Sequence, residues 1–480
     1  MSAQFFSTVA EWKREAAREN SEKYFFPFRD LGRVETGESC FVIGRKGTGK
    51  TAIAEHLEGQ SGHDRFCEAL SFKSFPFHLL YALKDDGYSS KSKYISLWKF
   101  VIYSSVCKMM AKNEAIDSTV RDLLQKKFPI EPKEQLRSVL ASWITRSFGV
   151  QILGTGGTFS TSKAAPISNE GWHKELTALS EIVRAHLDDC QYLITFDALD
   201  DDYQEMLNAD QRSFYLSLIT SLFKAIDDVR NEINTNGRRL FPIAFLRDDI
   251  FDQLEDSDRN KWEDIILRLT WNRDSLQRML AHRLSRAENS NGPILPFDEA
   301  WGLLFTNQLI SPESDSPKLT MFFYLMQRTY NRPRDFIVYL ARCAKVAAGK
   351  GLARVDSKHF LMCEPYYSEY FRQELQDELT PVVPDVIQVF AALSNMARAS
   401  FTLEAYIDSV AKLSKSGAYD PKKSSFPPEK LMQILFLFNV VGNRTSRGRR
   451  IFKFADPDEN LNLNQAITIH PGLWKSFNIN

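Results

Sequence analysis

The chain has 480 residues, 43% of them hydrophobic and 25% charged, and its Lys+Arg and Asp+Glu totals are equal at 61. That length predicts two or three domains with real cores, and the neutral balance excludes capture of nucleic acid or anionic membrane by overall charge, leaving only local patches. No apolar run reaches membrane-spanning length, the N-terminus lacks a basic segment ahead of an apolar one, and six scattered cysteines form no C-x-x-C pair; the expectation is a cytoplasmic protein with no membrane contact, zinc site or disulfide framework.

Residues 8–23 have helical spacing, and Tyr24-Phe25-Phe26-Pro27-Phe28 then lead towards an apolar strand. Those aromatics either fold over an adenine or staple the N-terminal helix to the core. The strand, Cys40-Phe41-Val42-Ile43, runs into Gly44-Arg45-Lys46-Gly47-Thr48-Gly49-Lys50-Thr51-Ala52, which matches G-x-x-x-x-G-K-[ST] at every fixed position. The chemistry explains the pattern. Glycines let backbone N–H groups turn inward round a phosphate chain, Lys50 brings a point charge to the outer phosphates, and Thr51 brings a hydroxyl to Mg²⁺ at the start of a helix. All nine residues, Gly44 to Ala52, are nucleotide-binding candidates, with ATP and Mg as cofactors.

A second strand is predicted near Ala69–Phe72, and helices over 92–111 and 118–128. The Gly/Thr/Ser stretch 151–162 reads as a loop or short edge hairpin. Tyr192-Leu193-Ile194-Thr195-Phe196 then form a buried strand ending in Asp197-Ala198-Leu199-Asp200-Asp201-Asp202. Acids at the carboxyl end of such a strand suit a metal ligand and a base. Asp197 is assigned to the Mg²⁺ shell together with Thr51, and Asp200 or Asp201 to the attacking water. After a helix at 214–229, the strand Leu240-Phe241-Pro242-Ile243-Ala244-Phe245-Leu246 ends in Arg247-Asp248-Asp249, with Pro242 expected at its entrance or a bulge. Arg247 either stabilises transferred phosphoryl charge or only pairs with its neighbouring acids. Further helices carry Asn331-Arg332-Pro333-Arg334-Asp335, where Arg334 (Arg332 second) is the candidate lid arginine. Beyond Pro381–Pro384, three short helices and a hairpin tipped by Arg444, Arg447, Arg449 and Arg450 outline a winged helix. The four arginines are candidate nucleic-acid contacts.

Taken in this order, the motifs resemble an AAA/STAND-type P-loop ATPase. Asp197-Ala198-Leu199-Asp200-Asp201 is similar to the D-G-hydrophobic-D-E signature of NACHT-type ATPases, with alanine for the glycine and aspartate for the last glutamate. The phosphate loop, Phe245-Leu246-Arg247-Asp248-Asp249-Ile250 and Ile469-His470-Pro471-Gly472-Leu473-Trp474 also resemble a poorly characterised family of bacterial P-loop ATPases. The resemblance implies a switch that acts with a separate effector, in settings that include defence against phage.

The predicted fold class is α/β: a P-loop NTPase parallel sheet of the ASCE type with a helical insertion, a helical lid and a C-terminal winged-helix-like domain. The expected boundaries are 1–265 for the core, 266–380 for the lid and 385–480 for the winged helix. The roughly 150 residues between Lys50 and Asp197 exceed the about 30 of one βαβ unit, so an insertion is expected at 85–170. The function expected first is an ATP-driven regulatory switch with a protein partner or effector, working as a homo- or hetero-oligomer in which Arg259 or Arg268 acts across the interface. A DNA-associated initiator or loader and a non-hydrolysing nucleotide-binding scaffold are the alternatives.

Overall fold

The computed structural model describes residues 3–72, 91–128, 150–153, 158–161, 169–200, 209–234, 237–311, 317–417, 420 and 426–479. Two compact units emerge, one of residues 20–270 and one of residues 1–19 with 271–480.

In the first unit, β1 (Phe41–Ile43), β2 (Arg65–Ser71), β5 (Gln191–Asp197), β6 (Arg239–Leu246) and β7 (Ile266–Arg268) make a parallel sheet in the order β2-β5-β6-β1-β7. The continuous apolar runs of β1, β5 and β6 are buried along their length, as strands covered on both faces must be. Alternation sends Phe41 and Ile43 to one face, with Ile194 and Phe196, against the helices Lys91–Lys112, Asn169–His186 and Ala209–Ile233. Val42, Leu193, Ile243 and Phe245 go to the other, against Ile53, Ala54 and Leu57 of the helix Lys50–Gly59. The sheet is therefore the middle of three layers. One strand, β6, separates β1 from β5, the order of the ASCE type.

The helix Lys91–Lys112 lies inside the region expected as an insertion, yet Leu97, Trp98 and Val101 are fully buried and the Trp98 indole donates to Leu218 O at 3.0 Å. It is part of the core layer. Between it and β5, β3 (Val150–Leu153) and β4 (Thr158–Thr161) pair antiparallel as a hairpin.

Pro242 sits inside β6, opposite Ile194 of β5, rather than at an entrance or bulge. Ala244 N donates to Cys40 O at 2.9 Å on the β1 side. Two residues earlier, the same side of β6 lies beyond the start of β1, so the N–H that proline lacks belongs to no ladder bond.

In the second unit, the helices Arg273–Glu288, Phe297–Leu304, Met321–Arg328, Pro333–Lys350 and Glu364–Leu379 form a bundle, with β8 (Leu309–Ile310) and β9 (Leu319–Thr320) paired at its side. The helix Ala3–Ala10 packs on Pro333–Lys350 and on Arg273–Glu288, burying Phe5, Phe6 and Val9. Arg283 closes that contact, 2.6 Å from Glu19 and stacked on Trp12. The helical spacing predicted over 8–23 yields the end of the helix Ala3–Ala10, a short 3₁₀ turn, Ala16–Arg18, and one helical turn, Ser21–Tyr24.

The last residues are winged-helix-like. Helices Val386–Met396, Leu403–Lys415 and Pro428–Leu437 accompany β10 (Ser400–Phe401), β11 (Val441–Arg444), β12 (Arg450–Ile451) and β13 (Ala466–Ile469), which pair antiparallel in the order β10-β13-β11-β12. Bundle and wing share one core. Arg328 stacks on both Tyr324 and Trp474 while bonding Glu364 at 2.8 Å, and the Tyr330 hydroxyl lies 3.0 Å from the carbonyls of Phe438 and Asn439. A Cβ on Gly472 would come within 2.3 Å of Arg328 O, so glycine is needed for the approach.

Candidate nucleotide-binding site

β1 ends at Ile43 opposite Leu246 of β6, and Phe196 of β5 lies opposite Ala244. Gly44, Asp197 and Arg247 therefore leave neighbouring strands at the same edge of the sheet. This carboxyl edge is where open α/β sheets bind ligands.

The loop after β1 turns through Gly47 (φ 84°) and Gly49 (φ 107°), both in the left-handed region open to glycine. Gly49 is the N-cap of Lys50–Gly59, so the positive end of that helix faces back over the loop. At Gly44 a Cβ would meet Thr48 Oγ1 at 2.7 Å and Leu269 Cβ at 3.0 Å. Lys50 is buried, and its Nζ donates to Gly44 O at 2.7 Å and Arg45 O at 3.2 Å. The ammonium is thus fixed at the mouth of the loop. Burial draws its pKa down, and Asp200, Asp197 and Asp248 work against that fall.

Thr51, on the same helix, lies beside the carboxyl of Asp197. Burial raises the pKa of Asp197, while the Ala198 N–H and the Thr51 hydroxyl beside it favour the charged form and hold the rise back. A hydroxyl and a carboxylate side by side, next to a lysine and a glycine cradle, are the donor set that a hydrated Mg²⁺ and a phosphate chain require. The residues fit the cofactors predicted from sequence. Ala198, where the resembling signature has glycine, is left-handed (φ 57°), a conformation unfavourable to alanine. The kink turns the chain so that Asp200 follows Asp197 into the site, and Leu199 O accepts from the Tyr215 hydroxyl. Asp201 lies outside the described residues.

Arg247 is buried at the end of β6. Its Nε and Nη2 donate to the carboxylate of Asp249 at 2.9 and 2.6 Å, and its Nη1 is 3.8 Å from Asp200. The pairing expected of Arg247 with a neighbouring acid is present, to Asp249, and its other nitrogen also faces Asp200 at the end of the adjacent strand. Asp248 was read only as a possible partner of Arg247. It bonds the Asp249 N–H instead, and its carboxyl interacts electrostatically with Arg45 and Lys50 while burial raises its pKa. The available signal was the run of two acids directly after a strand-end arginine.

The aromatic stretch before β1 packs on the sheet and the helix Lys50–Gly59. Phe25 stacks on His56 with centroids 3.9 Å apart, and Phe25 and Phe28 lie against the core of Val42, Ile53 and Leu57. Arg259 and Arg268 flank the ring of Phe251, and each has an acid, Asp252 and Glu263 respectively.

The remaining candidates belong to the other unit. Arg332 is buried, forked onto Asp335 at 2.9 and 3.0 Å and 3.7 Å from Glu378. Arg334 is partly exposed, 3.6 Å from Glu374. On the wing, Arg447 and Arg449 are exposed, Arg449 paired with Asp456 at 2.6 Å, whereas Arg444 and Arg450 are half-buried, Arg450 over the Trp474 ring. Among the described residues no group of His, Cys, Asp and Glu forms a further metal cluster, and no helix is long and apolar enough to cross a membrane.

Residues 274–376, the helical bundle, match the family model of the FunZ-associated C-terminal helical domain. The putative transposon gamma-delta 80.3 kDa protein of Escherichia coli (strain K12) is 20% identical over 484 aligned positions that cover 94% of this chain and 64% of that protein. The chain thus spans less than two thirds of that relative's length. Similar solved structures include the Aeropyrum pernix ORC1 protein in complex with DNA, with 12% identity, a TM-score of 0.39, and coverage of 97% of this chain and 96% of that one. Another is Cdc6p from Pyrobaculum aerophilum, with 11% identity, a TM-score of 0.31, and coverage of 98% and 95%. The assignment of a P-loop α/β fold rests on the strand order and register.

Proposed function

We propose that this chain binds ATP with Mg²⁺ at the edge of the parallel sheet and hydrolyses it slowly, as a regulatory switch. The observation that carries the reading is Lys50, its Nζ held on Gly44 O inside the glycine turn, with Thr51 and Asp197 beside it and Arg247 and Asp200 facing each other one strand away. The loop N–H groups and Lys50 would hold the phosphates, Thr51 and Asp197 the hydrated metal, which supplies charge neutralisation when bound. Asp200 orients or deprotonates the attacking water, and Arg247 meets charge developing on the terminal phosphate.

The switch would act in the cytoplasm, in a homo- or hetero-oligomer, and be read by a separate effector. The resemblance to STAND and NACHT ATPases supports placing it in a prokaryotic anti-phage system, and a relative named for a transposon is in keeping with chains that travel on mobile DNA. A second reading, a DNA-associated ATPase of the initiator or loader kind, is favoured by the exposure of Arg447 and Arg449 at the wing tip.

ATP turnover by the purified protein, alone and with duplex DNA, tests both. Lys50→Ala is expected to weaken nucleotide binding, and Asp200→Ala with Asp201→Ala to keep binding and lose turnover. Stimulation by DNA that falls steeply with salt and disappears in Arg447→Ala with Arg449→Ala would select the loader reading. A wild-type protein that binds ATP and never turns it over would leave a nucleotide-holding scaffold. No binding at all would end the assignment.

A further inference from the structure

We propose that Asp249 is the positioning residue of this site: by gripping one edge of Arg247 it aims the other edge at the terminal phosphate of ATP, beside Asp200. The inference rests on the nucleotide reading above and deepens it. An arginine side chain has four freely rotating bonds, so a strand-end arginine discriminates between ligands only if something holds it. Here the grip is local and two-pronged. Nε and Nη2, which form one edge of the planar guanidinium, donate to the two oxygens of Asp249 at 2.9 and 2.6 Å. Nη1 lies on the opposite edge and is the nitrogen found 3.8 Å from Asp200 Oδ2. That separation is an ion pair without a direct hydrogen bond.

Asp249 is itself held. Its N–H donates to Asp248 Oδ1 at 2.9 Å, and its carbonyl accepts from Gln253 at 2.7 Å within the turn that follows β6. Arg247 is buried, so among the described acids a guanidinium released from Asp249 has Asp200, 3.8 Å away, to close upon. Closing would make the 3.8 Å pair a direct fork, which draws the cation off the phosphate and occupies the carboxylate proposed to handle water. Asp249 keeps the two apart.

The test is the ratio of ADP to ATP dissociation constants, read with fluorescent ATP and ADP and Mg²⁺. Wild type is expected to prefer ATP. Arg247→Ala and the near-isosteric Asp249→Asn should each cut that preference by about tenfold or more while leaving ADP affinity in place, since one charge-assisted bond to the terminal phosphate is lost in both. The double variant should lose no more than either single one, as two residues acting as a unit do. Retained ADP affinity reports an intact fold, and Arg247→Lys serves if Arg247→Ala fails to fold. Should Asp249→Asn keep the wild-type preference while Arg247→Ala or Arg247→Lys loses it, or should the two losses add, the clamp has no positioning role. If neither loses it, Arg247 does not read the phosphate and the proposal falls. Wild type that binds neither nucleotide overturns the nucleotide reading itself.

Discussion

Arg247 and Arg332 are both buried arginines, each forked onto an acid two or three residues further along the chain. Their settings separate them. Around Arg332 the partners are Asp335 and Glu378, side chains of bundle helices, with the Tyr330 ring against the guanidinium. The fork, Nη1 and one face are occupied by groups that close on each other, as in a staple. Around Arg247 the fork is likewise filled by Asp249, but the opposite edge looks across a strand end at Asp200, next to the Lys50 ammonium and the glycine turn. A buried arginine is thus a poor sign of function unless one of its edges opens on a loop built for a ligand.

Removing side chains should split the two regions, with the largest effect at the site. Asp200→Ala, measured with ATP in excess, is expected to lower turnover by about 10²- to 10⁴-fold, the usual share of a positioned acid or base, with the melting temperature nearly unchanged. If turnover survives, Asp201 or the buried Asp248 carries that role. Arg332→Ala should do the reverse. It leaves Asp335 buried without its cation, a loss of about 3–5 kcal/mol by chemical denaturation. A mild stability change would mean that water reaches Asp335 and the staple is looser than its geometry.

The site was the more legible region because its chemistry is written in contiguous residues. Spacing alone singled out Gly44 to Ala52 as a turn between strand and helix, since a phosphate cradle admits few residue types, and the apolar runs ending in Asp197 and Arg247 announced strands that stop together at the carboxyl edge of the sheet. Asp249 was not legible as a clamp, because a carboxylate two residues past an arginine reads equally as a solvated turn. Arg332 and Arg334 were harder still. Two residues apart along the chain, one is buried and the other partly exposed, and only the packing of Glu364–Leu379 decides between them. The helix Lys91–Lys112 was read correctly as a helix but placed in an insertion, because length between motifs says nothing of which helices the sheet needs for cover.

The same contrast has a pH form. Burial raises the pKa of Asp197 above the ordinary 3.8, so its charge is harder to hold in the folded protein than in the unfolded one. The penalty is full above the raised folded pKa and vanishes below the unfolded one, so this residue's contribution to stability improves as pH falls through that window. Asp197→Asn, which keeps the shape of the side chain beside Thr51 and Ala198, should melt at or slightly above wild type at pH 7.5, and the difference should close towards pH 4. Turnover should be lost at both. A lower melting temperature at pH 7.5 would mean that Lys50 and the loop dipoles already stabilise the carboxylate more than burial opposes it.

The smallest effect is the most specific. Ala198 holds φ 57° between the two acids. A side chain in this region costs about 1–2 kcal/mol, whereas the extra freedom of an unfolded glycine costs about 0.5–1 kcal/mol. Ala198→Gly should therefore stabilise the protein by up to about 1 kcal/mol, seen as a rise of roughly 2–4 °C in melting temperature. If the kink serves to hold Asp200 in register with Asp197, the same change should slow turnover, because glycine frees the chain between them. Greater stability with slower turnover would show strain retained for positioning. Greater stability with unchanged turnover would make Ala198 a tolerated substitution at a turn that glycine fits better, and the alignment of the two acids would then rest on the bond from Tyr215 to Leu199 O.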